Sequence, residues 1–598
     1  MLKRLLLTCF LLTPTLPAQL TTDQKVSDFN YLAGLYAKNY QPYQWKRDVI
    51  GFDLYNVKPW LDQVRQSKSD LEYYDLCVRY VAALQDSHDE YTLPSDYSAY
   101  LHFDVDIYDG AALVDAIDRK YLPAAKFPFR AGDEVVSVDG VAANELIAKY
   151  VPYSANGAGN ASSRRRLAAD TFTFREQFFF PGAPLHASTA TVVIRRQSGA
   201  VETYVIPWDE AGTPILTAGP VTTPTGAGRK SAPMSVARAR SLPSSARARD
   251  TGADIADNPW GVYTGPKPEA VADEVPEYQK PLLEFQTMRG LGPEGDFGGF
   301  GSIFPAYNPP AGFKLRLGGS AADQFLSGTF VSGSRTFGLI RIPTMAPSNT
   351  TTALRQFQSE IQFMQQNTDG LMIDVMRNGG GSVCYTESLE KMLIPHPFRS
   401  IAYEIRATDS WVLAFSSIVQ AAINSGAETW VIESYQALLN DIKVANSQNR
   451  GDTGYIPICG PYYENMQPAT NAAGNVIAYT KPILVMTDEF SLSAAEAFTM
   501  ILQDEKRATV FGMRTDGGGG NPASYQAGAY SEGSTRVTRT FVTRKTEVKT
   551  PDFPASHYLE NTGVYPDVLQ DYMTKDNLLN GGKSFFASAV AAMNGLIE

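Results

Sequence analysis

A chain of 598 residues, 44% of them hydrophobic, contains enough apolar material for about three or four domains, each with its own core. Its 52 basic and 63 acidic side chains give a formal net charge of −11, which argues against nucleic acid or an anionic membrane as a general partner. The composition is that of a large acidic globular protein.

The first 18 residues have the pattern of a secretion signal. Lys3 and Arg4 precede an apolar stretch, and residues 16–18 (Leu-Pro-Ala) suit a signal peptidase. No later run approaches the roughly 20 apolar residues that a membrane-spanning helix needs. We therefore expect export to a periplasm or to the extracellular medium, without stable insertion into a membrane.

Three cysteines remain after this signal: Cys77, Cys384 and Cys459. Their number is odd and their spacing fits neither a zinc site nor a redox motif. We interpret them as small core residues that form at most one disulfide, and we expect no metal and no organic cofactor.

Residues 19–97 are predicted to form a helical region. Apolar residues recur at helical spacing in SDFNYLAGLYAKNY and DLEYYDLCVRYVAALQDSH. The second pattern ends next to His88, one of only five histidines in the chain. A histidine just beyond a helix can be a solvated helix end, a partner of the helix dipole or a general base.

Residues 98–210 change to short β segments. The run AGDEVVSVDG contains a strand and a hairpin signal at Asp139 and Gly140, and TATVVIRR and ETYVIPW supply further strands. This region resembles a PDZ domain, a fold that binds extended peptides at a sheet edge. The stretch SANGAGNASSRRRLAAD is an unusually long interruption for that fold.

Residues 211–320 are predicted to be a flexible linker. The stretch TPTGAGRKSAPMSVARARSLPSSARARD is rich in Ala, Ser, Pro and Arg and has almost no large apolar residue. We expect proteolytic cutting within 226–250, and we hypothesise that the linker is an activation segment.

From residue 321 to 598, predicted strands alternate with predicted helices. TFGLIRIP and GLMIDV are strands, and the segments that follow them, NTTTALRQFQSEIQFMQQ and SVCYTESLEKML, are helices. The later strands ILVMT and ATVFGM enclose a further helix. This order predicts βαβ units and a largely parallel sheet, within a multidomain α/β protein.

Two turns at the predicted carboxyl edge of this sheet could carry chemistry. Ser493 lies between ILVMT and a helix, beside amides that can stabilise negative charge, so it is a candidate nucleophile. Ser491 and Ser493 could instead only cap that helix. The glycine-rich turn at 377–382 lacks the lysine of a phosphate loop and the GxGxxG pattern, which leaves an oxyanion hole or a structural turn.

The pair GLMIDVMRNGGGSV and TDEFSLSAAEAFTMILQDEKRATVFGMRTDGGGG resembles the tail-specific (carboxyl-terminal processing) protease and tricorn family of serine peptidases. The order of helical region, PDZ-like domain and core matches as well. The resemblance implies a ClpP/crotonase-like core, Ser493 as the nucleophile followed by Glu496, and an oxyanion hole formed by Ala494 and Gly380.

The processing proteases carry a lysine base in a glycine-rich turn where this chain has Gly518. The sequence is closer to the branch of tricorn and the chlamydial protease-like activity factor, which uses Ser, His and Glu. The segment that carries the catalytic histidine in this branch resembles LQDSHDEYT, which implies His88 as the base. The segment that carries its catalytic glutamate resembles YLENTGVYPD, which implies Glu560 as the third residue. Ser87 matches a serine that would help to orient the histidine ring.

The sequence therefore predicts a secreted serine endopeptidase that hydrolyses polypeptides through an acyl-enzyme with a triad of Ser493, His88 and Glu560. Because His88 and Ser493 are far apart in the chain, activity requires docking of the helical region or oligomerisation, for example as a homodimer. Two alternatives stay open: a non-proteolytic binding protein on the same fold, and a peptidase with a lysine base such as Lys545 or Lys549.

Overall fold

The computed structural model describes residues 19–154, 157–217, 301–320, 322–424, 426–457, 459, 465–471 and 473–597. The predicted secretion signal and residues 218–300 of the predicted linker, including the predicted cutting site, lie outside this part of the chain. Among the described residues, no helix is both long and apolar enough to span a membrane.

The helical region packs around buried tyrosines, which lie on the apolar faces of α1 and α4. Tyr80 contacts Phe29 edge to face, with ring centroids 5.0 Å apart, and Tyr36 contacts Tyr40 in the same way at 5.6 Å. The elements are α1 (Thr22–Asn39), α2 (Tyr43–Trp45), a π-helical turn (Lys46–Ile50), α3 (Lys58–Gln66) and α4 (Asp70–Ala82).

The next region is rich in β structure, as expected. Its elements are β1 (Tyr91–Thr92), β2 (Ser98–Tyr100), β3 (Phe103–Tyr108), β4 (Ala111–Ile117), β5 (Glu134–Val138), β6 (Val141–Ala142), α5 (Ala143–Tyr150), a 3-10 turn (Val151–Tyr153), α6 (Ala161–Asp170), β7 (Phe174–Glu176), β8 (Thr189–Arg195), β9 (Val201–Pro207) and β10 (Asp209–Ala211). One antiparallel sheet has the order β3-β4-β5-β8-β9, with β6 paired to β5, and a second has the order β10-β2-β7. Apolar side chains from the strands and from α5 and α6 share one core.

The long interruption in this region forms α6, which faces the C-terminal core. Asn160 caps α6 through the amide of Ser162 (2.9 Å), while its side-chain amide donates to the carbonyl oxygen of Thr515 (3.1 Å). Arg166 pairs with Asp106 at 2.7 Å and with Glu489 at 3.1 Å. The interruption therefore connects the β-rich region to the core.

The C-terminal core is an α/β layer structure. Its strands are β11 (Lys314–Leu317), β12 (Leu326–Ser332), β13 (Arg335–Arg341), β14 (Gly370–Asp374), β15 (Ala402–Ile405), β16 (Ile456–Pro457), β17 (Ile483–Thr487), β18 (Thr509–Gly512), β19 (Pro522–Gln526), β20 (Ser534–Thr538), β21 (Thr540–Val548), β22 (Ser556–Tyr558) and β23 (Val568–Leu569). Its helices are α7 (Thr350–Asn367), α8 (Val383–Glu390), α9 (Asp409–Asn424), α10 (Thr429–Ser447), α11 (Ala494–Asp504), α12 (Lys575–Asn580) and α13 (Lys583–Gly595).

The main sheet of the core confirms the predicted parallel arrangement. Its order is β11-β12-β13-β14-β17-β18-β23, and every neighbouring pair from β13 onward is parallel. Strands β14 and β17 are buried along their whole length, as continuous apolar runs predict. Two smaller sheets, β16-β15-β21-β22 and β1-β20-β19, flank the main sheet.

The helical region is docked on the core through the second of these small sheets. Strand β1, which follows His88 closely, pairs with β20 and places Tyr91 opposite Thr535. The Tyr36 hydroxyl on α1 donates to the carbonyl oxygen of Arg536 at 2.7 Å. The loop that carries His88 is thus held against the core from both sides.

The structure corrects the predicted extent of the linker and identifies the two cysteines that pair. Lys314–Leu317, inside the predicted linker, is β11 of the main sheet, and Ala211 belongs to β10. A four-residue strand beside glycines gives too short a pattern to distinguish it from a loop. Cys384 and Cys459 form a disulfide, whereas buried Cys77 is free; a separation of 75 residues gives no sequence sign of such pairing.

Candidate active site

Ser493 lies at the sharp turn between β17 and α11. Its φ of 58° and ψ of −119° fall in a region that costs non-glycine residues about 1–3 kcal/mol. A strained strand-to-helix turn of this kind exposes a nucleophilic hydroxyl at the top of a sheet. Ser493 is partly exposed, whereas Ser491 is buried and donates to the carbonyl oxygen of Val375 at 2.8 Å. Ser491 therefore fastens the turn to the end of β14.

The buried carboxylate of Glu496 holds this turn next to the glycines that follow β18. One of its oxygens accepts from the amides of Ser493 (2.8 Å) and Gly518 (2.9 Å). The other accepts from the hydroxyl of Thr515 (2.6 Å) and the amide of Gly517 (2.7 Å). Burial raises the pKa of Glu496 to about 7, and these four hydrogen bonds oppose the rise. The two segments are therefore tied together by one side chain.

Gly380 and Ala494 both lie next to Ser493. A Cβ built on Gly380 would stand 2.7 Å from the Cβ of Ser493 and 2.8 Å from the nitrogen of Ala494. Ala494 begins α11, where amides have no helical carbonyl partner. The Gly380 amide instead donates to Oδ1 of Asn378 at 2.9 Å. To donate to an oxyanion, the Gly380 amide must first break this hydrogen bond to Asn378.

His88 is buried in the loop after α4, with its ring against Gly518. A Cβ built on Gly518 would stand 3.3 Å from Cε1 and 3.5 Å from Nδ1 of the ring. The imidazole therefore occupies the space toward which a lysine at position 518 would extend. Burial lowers the pKa of His88 to about 4, although Asp86 acts in the opposite direction. At neutral pH the ring is uncharged, as a general base must be.

The loop around His88 is fixed by two buried carboxylates. Asp86 accepts from the amide of His88 (2.9 Å) and from the hydroxyl of Tyr40 (3.0 Å). Asp89 accepts from the amide of Thr538 at 2.7 Å. Helix α1 and strand β20 therefore set the position of the histidine.

Glu560 contacts the same glycine turn as His88, at Gly519 instead of Gly518. The amide of Gly519 donates to its Oε2 at 3.1 Å, and the ammonium group of Lys46 forms an ion pair with its Oε1. Burial raises the pKa of Glu560, Asp86 raises it further, and Lys46 opposes the rise. Lys46 was not among the residues that the sequence singled out, since a lone lysine in YQWKRDVI carries no recognisable motif.

Ser87 contacts Asp516 and Gly159. Its hydroxyl donates to the carboxylate of Asp516 and accepts from the amide of Gly159 at 2.7 Å. Ser163 of α6 donates to the same carboxylate at 2.8 Å, and burial raises the pKa of Asp516 to about 8. Ser87 therefore joins the His88 loop to the segment that leads into the glycine turn and to the β-rich region.

The two lysines proposed as alternative bases both have exposed side chains. Lys545 is exposed and pairs with Glu505 at 3.3 Å. Glu505 follows the C-terminus of α11, whereas Ser493 precedes its N-terminus, about 17 Å away by helix geometry. Lys549 is also exposed, just beyond the end of β21.

Comparison with known proteins agrees with this architecture. Residues 336–569 match peptidase family S41, and residues 97–215 match a PDZ domain. A protein of Chlamydia trachomatis serovar D is 24% identical over 542 residues, which cover 85% of this chain and 83% of that protein. A protein of Chlamydia pneumoniae is 23% identical over 537 residues, covering 84% and 80%.

Solved structures of mature CPAF share the fold. The complex of mature CPAF with lactacystin has a TM-score of 0.69 at 20% identity, covering 96% of this chain and 99% of that chain. Mature CPAF itself has a TM-score of 0.67 at 21% identity, covering 96% and 98%. The resemblance is thus confirmed: the chain is a serine peptidase with a peptidase S41 domain at residues 336–569 and a PDZ domain at residues 97–215.

Proposed function

We propose that this peptidase is an endopeptidase that cleaves polypeptides through an acyl-enzyme on Ser493, with His88 as general base and Glu560 as the supporting carboxylate. The observation that carries the proposal is the meeting of three chain segments at Gly518. Its amide shares an oxygen of Glu496 with the amide of Ser493, and a Cβ at this position would meet Leu492 and the ring of His88. The next amide, of Gly519, binds Glu560.

Each residue has a distinct task in this mechanism. His88 takes the hydroxyl proton of Ser493 as the oxygen attacks a peptide carbonyl, and later gives it to the leaving amine. The N–H of Ala494 stabilises the oxyanion, with Gly380 as a second donor when its amide turns from Asn378. Glu560 stabilises the transient imidazolium, and water then releases the acyl group from Ser493.

Substitution of the two serines of the turn tests the nucleophile. We expect a fluorophosphonate probe to label the wild-type protein at Ser493, and Ser493→Ala to abolish both labelling and cleavage of casein. Ser491→Ala is the matched control: it removes a hydrogen bond to Val375 and lowers stability, but it leaves the nucleophile in place. Casein cleavage that persists in purified Ser493→Ala would refute the assignment and favour a non-proteolytic role for this site.

The general base is tested by its own pair of variants. His88→Ala should reduce the rate of fluorophosphonate labelling to near background, whereas Lys545→Ala should leave it unchanged. The reverse pattern would show that a lysine activates Ser493.

We also propose that the protein is exported. The pattern of residues 1–18 supports this, and so does the disulfide between Cys384 and Cys459, because disulfides persist in oxidising compartments. We expect protein recovered from a periplasm or culture medium to begin at Gln19 in N-terminal sequencing. Recovery of an uncut N-terminus, with reduced cysteines, would contradict export.

A further inference from the structure

Lys46 is a fully buried lysine within the proposed catalytic site. It begins the π-helical turn Lys46–Ile50, and its side chain has no exposed surface. The next two residues, Arg47 and Asp48, are exposed and pair with each other at 2.7 Å. Of three consecutive charged residues, only Lys46 points into the protein. Burial of a lysine is costly unless a partner compensates its charge.

The ammonium group of Lys46 contacts two separate chain segments of the site. Besides the ion pair with Glu560, it donates to Oδ1 of Asn561 (2.6 Å) and to the carbonyl oxygen of Gln85 (3.0 Å). Gln85 and Asn561 both have left-handed backbone, with φ of 51° and 58°. Lys46 therefore joins the segment that leads to His88 to the segment that carries Glu560.

The surroundings of Glu560 are rich in acidic groups. The carboxylates of Asp86 and Asp89, both on the histidine loop, interact electrostatically with Glu560. The ionised form of Glu560 is therefore disfavoured by like charge as well as by burial. The only cation in contact with Glu560 among the described residues is Lys46. The titratable and charged groups that face this pair are Asp86, His88 and Asp89 from the histidine loop, Tyr40 from the end of α1, and Arg536 from β20.

We propose that Lys46 is a positioning residue of the peptidase site: its ammonium group favours the ionised form of Glu560 beside the glycine turn and thereby sets the lower pH limit for activation of Ser493. This inference rests on the proposed function. Lys46 lowers the pKa of both Glu560 and His88. His88 can act as a general base with Glu560 as its supporting carboxylate only when both groups are deprotonated. Loss of the ammonium group of Lys46 should therefore raise both pKa values.

The test measures the rate constant of fluorophosphonate labelling at Ser493 in the full chain, from pH 5 to pH 10. In Lys46→Met, we expect the acid limb of this profile to move up by about one pH unit or more, with labelling recovered at alkaline pH. Lys46→Arg keeps the charge and should retain a limb close to that of the wild type. A merely structural role would lower the rate evenly at every pH.

Lys25→Met is the matched control for the loss of a buried ammonium group. Lys25 pairs with Asp70 at 3.4 Å, and both side chains are buried. We expect this variant to lose stability without a shift of the acid limb. A shift as large as that of Lys46→Met would mean that general destabilisation, and not contact with Glu560, moves the profile.

A double variant keeps the inference testable if Lys46→Met fails to fold, because it leaves no unpaired buried charge. At pH 8, far above the pKa of His88 of about 4, Lys46→Met/Glu560→Gln should be labelled at the same rate as Glu560→Gln alone, since Lys46 then acts only through Glu560. Asn561 and Gln85 each keep another donor, Trp45 (3.1 Å) and Asn561 (2.7 Å) respectively.

Two results would overturn the role of Lys46. One is a folded Lys46→Met with an unshifted acid limb, and the other is a double variant labelled tenfold or more slowly than Glu560→Gln. Absence of labelling at Ser493 in the wild type would instead refute the proposed function, and the role of Lys46 would fall with it.

Discussion

The ring of His88 and the backbone of Gly518 share one small space: a Cβ at position 518 would stand 3.3 Å from Cε1 of the ring and 2.3 Å from Cδ1 of Leu492. A peptidase with a lysine at this position could not hold a histidine in the same place. The absence of a side chain at 518 and the presence of His88 are therefore two parts of one arrangement.

Gly518→Ala tests this arrangement. The new methyl group should displace Leu492 and the ring of His88, and a displacement of about 1 Å at a catalytic group costs about 100-fold in rate. We expect such a loss in the rate of fluorophosphonate labelling, with little change in melting temperature. Gly34→Ala, where no atom lies within 4 Å of the added methyl group, is the control. Full labelling of Gly518→Ala would show that the ring does not need this space.

Gly380→Ala should also inactivate the enzyme, for a different reason. Its methyl group would stand 2.6 Å from the carbonyl oxygen of Leu492 and 2.7 Å from Cβ of Ser493, so the turn itself must move. Loss of one oxyanion donor typically costs about 10²- to 10³-fold in rate, and we expect casein cleavage to fall at least that far. Gly312→Ala imposes similar backbone strain, at φ 80°, with no atom within 4 Å, and should stay active. Equal activity of the two alanine variants would exclude Gly380 from the site.

Arg166 links the PDZ domain to the turn of Ser493. Its guanidinium group pairs with Asp106 and Glu489 and lies 4.4 Å from the ring centroid of Phe490. Arg166→Met leaves buried Glu489 without this partner, which typically costs about 3–5 kcal/mol. We expect a loss of that size in urea unfolding, with slower labelling of Ser493.

The exposed pair of Arg195 and Glu134 provides the comparison for Arg166. Its side chains are 45% and 35% exposed, so Arg195→Met should cost about 0–1 kcal/mol and leave labelling unchanged. Similar losses in both variants would mean that Arg166 does not connect the domains.

The sequence predicted those parts of the site that lie within one continuous segment. The strands, the helix and the glycine turns around Ser493 follow from local apolar patterns and from glycines, and the family resemblance pointed to His88 and Glu560. Lys46 and Arg166 could not be found in this way, because each contacts the site only after distant segments have docked. The roles of the triad and of the oxyanion donors, and homodimerisation, stay predictions.

The disulfide between Cys384 and Cys459 should contribute measurably to stability. It closes a loop of 75 residues, for which chain entropy predicts about 4 kcal/mol. We expect Cys384→Ser/Cys459→Ser to lose stability of this order in urea unfolding, and a reducing agent to have the same effect on the wild type. Cys77→Ser, which changes a free buried cysteine, should leave the sensitivity to reducing agent unchanged. Identical unfolding of the wild type with and without reductant would contradict the disulfide.

Glu387 on α8 should make stability depend on pH. Burial raises its pKa to about 7, although the hydroxyl of Ser400 and the amide of Ile401 (2.8 Å) donate to it. Because the unfolded chain has a pKa near 4.3 at this group, the folded form binds more protons between about pH 4 and pH 7. The free energy of unfolding attributable to Glu387 therefore falls as pH rises through this window.

Glu387→Gln cannot titrate and should remove this pH dependence. We expect the variant to match the wild type near pH 4 and to exceed its free energy of unfolding by about 3 kcal/mol at pH 8, measured in urea. Glu145→Gln, at an exposed position, should follow the wild-type profile. Parallel profiles for the wild type and Glu387→Gln would show that Glu387 is ionised in the folded protein at neutral pH, and that its hydrogen bonds outweigh its burial.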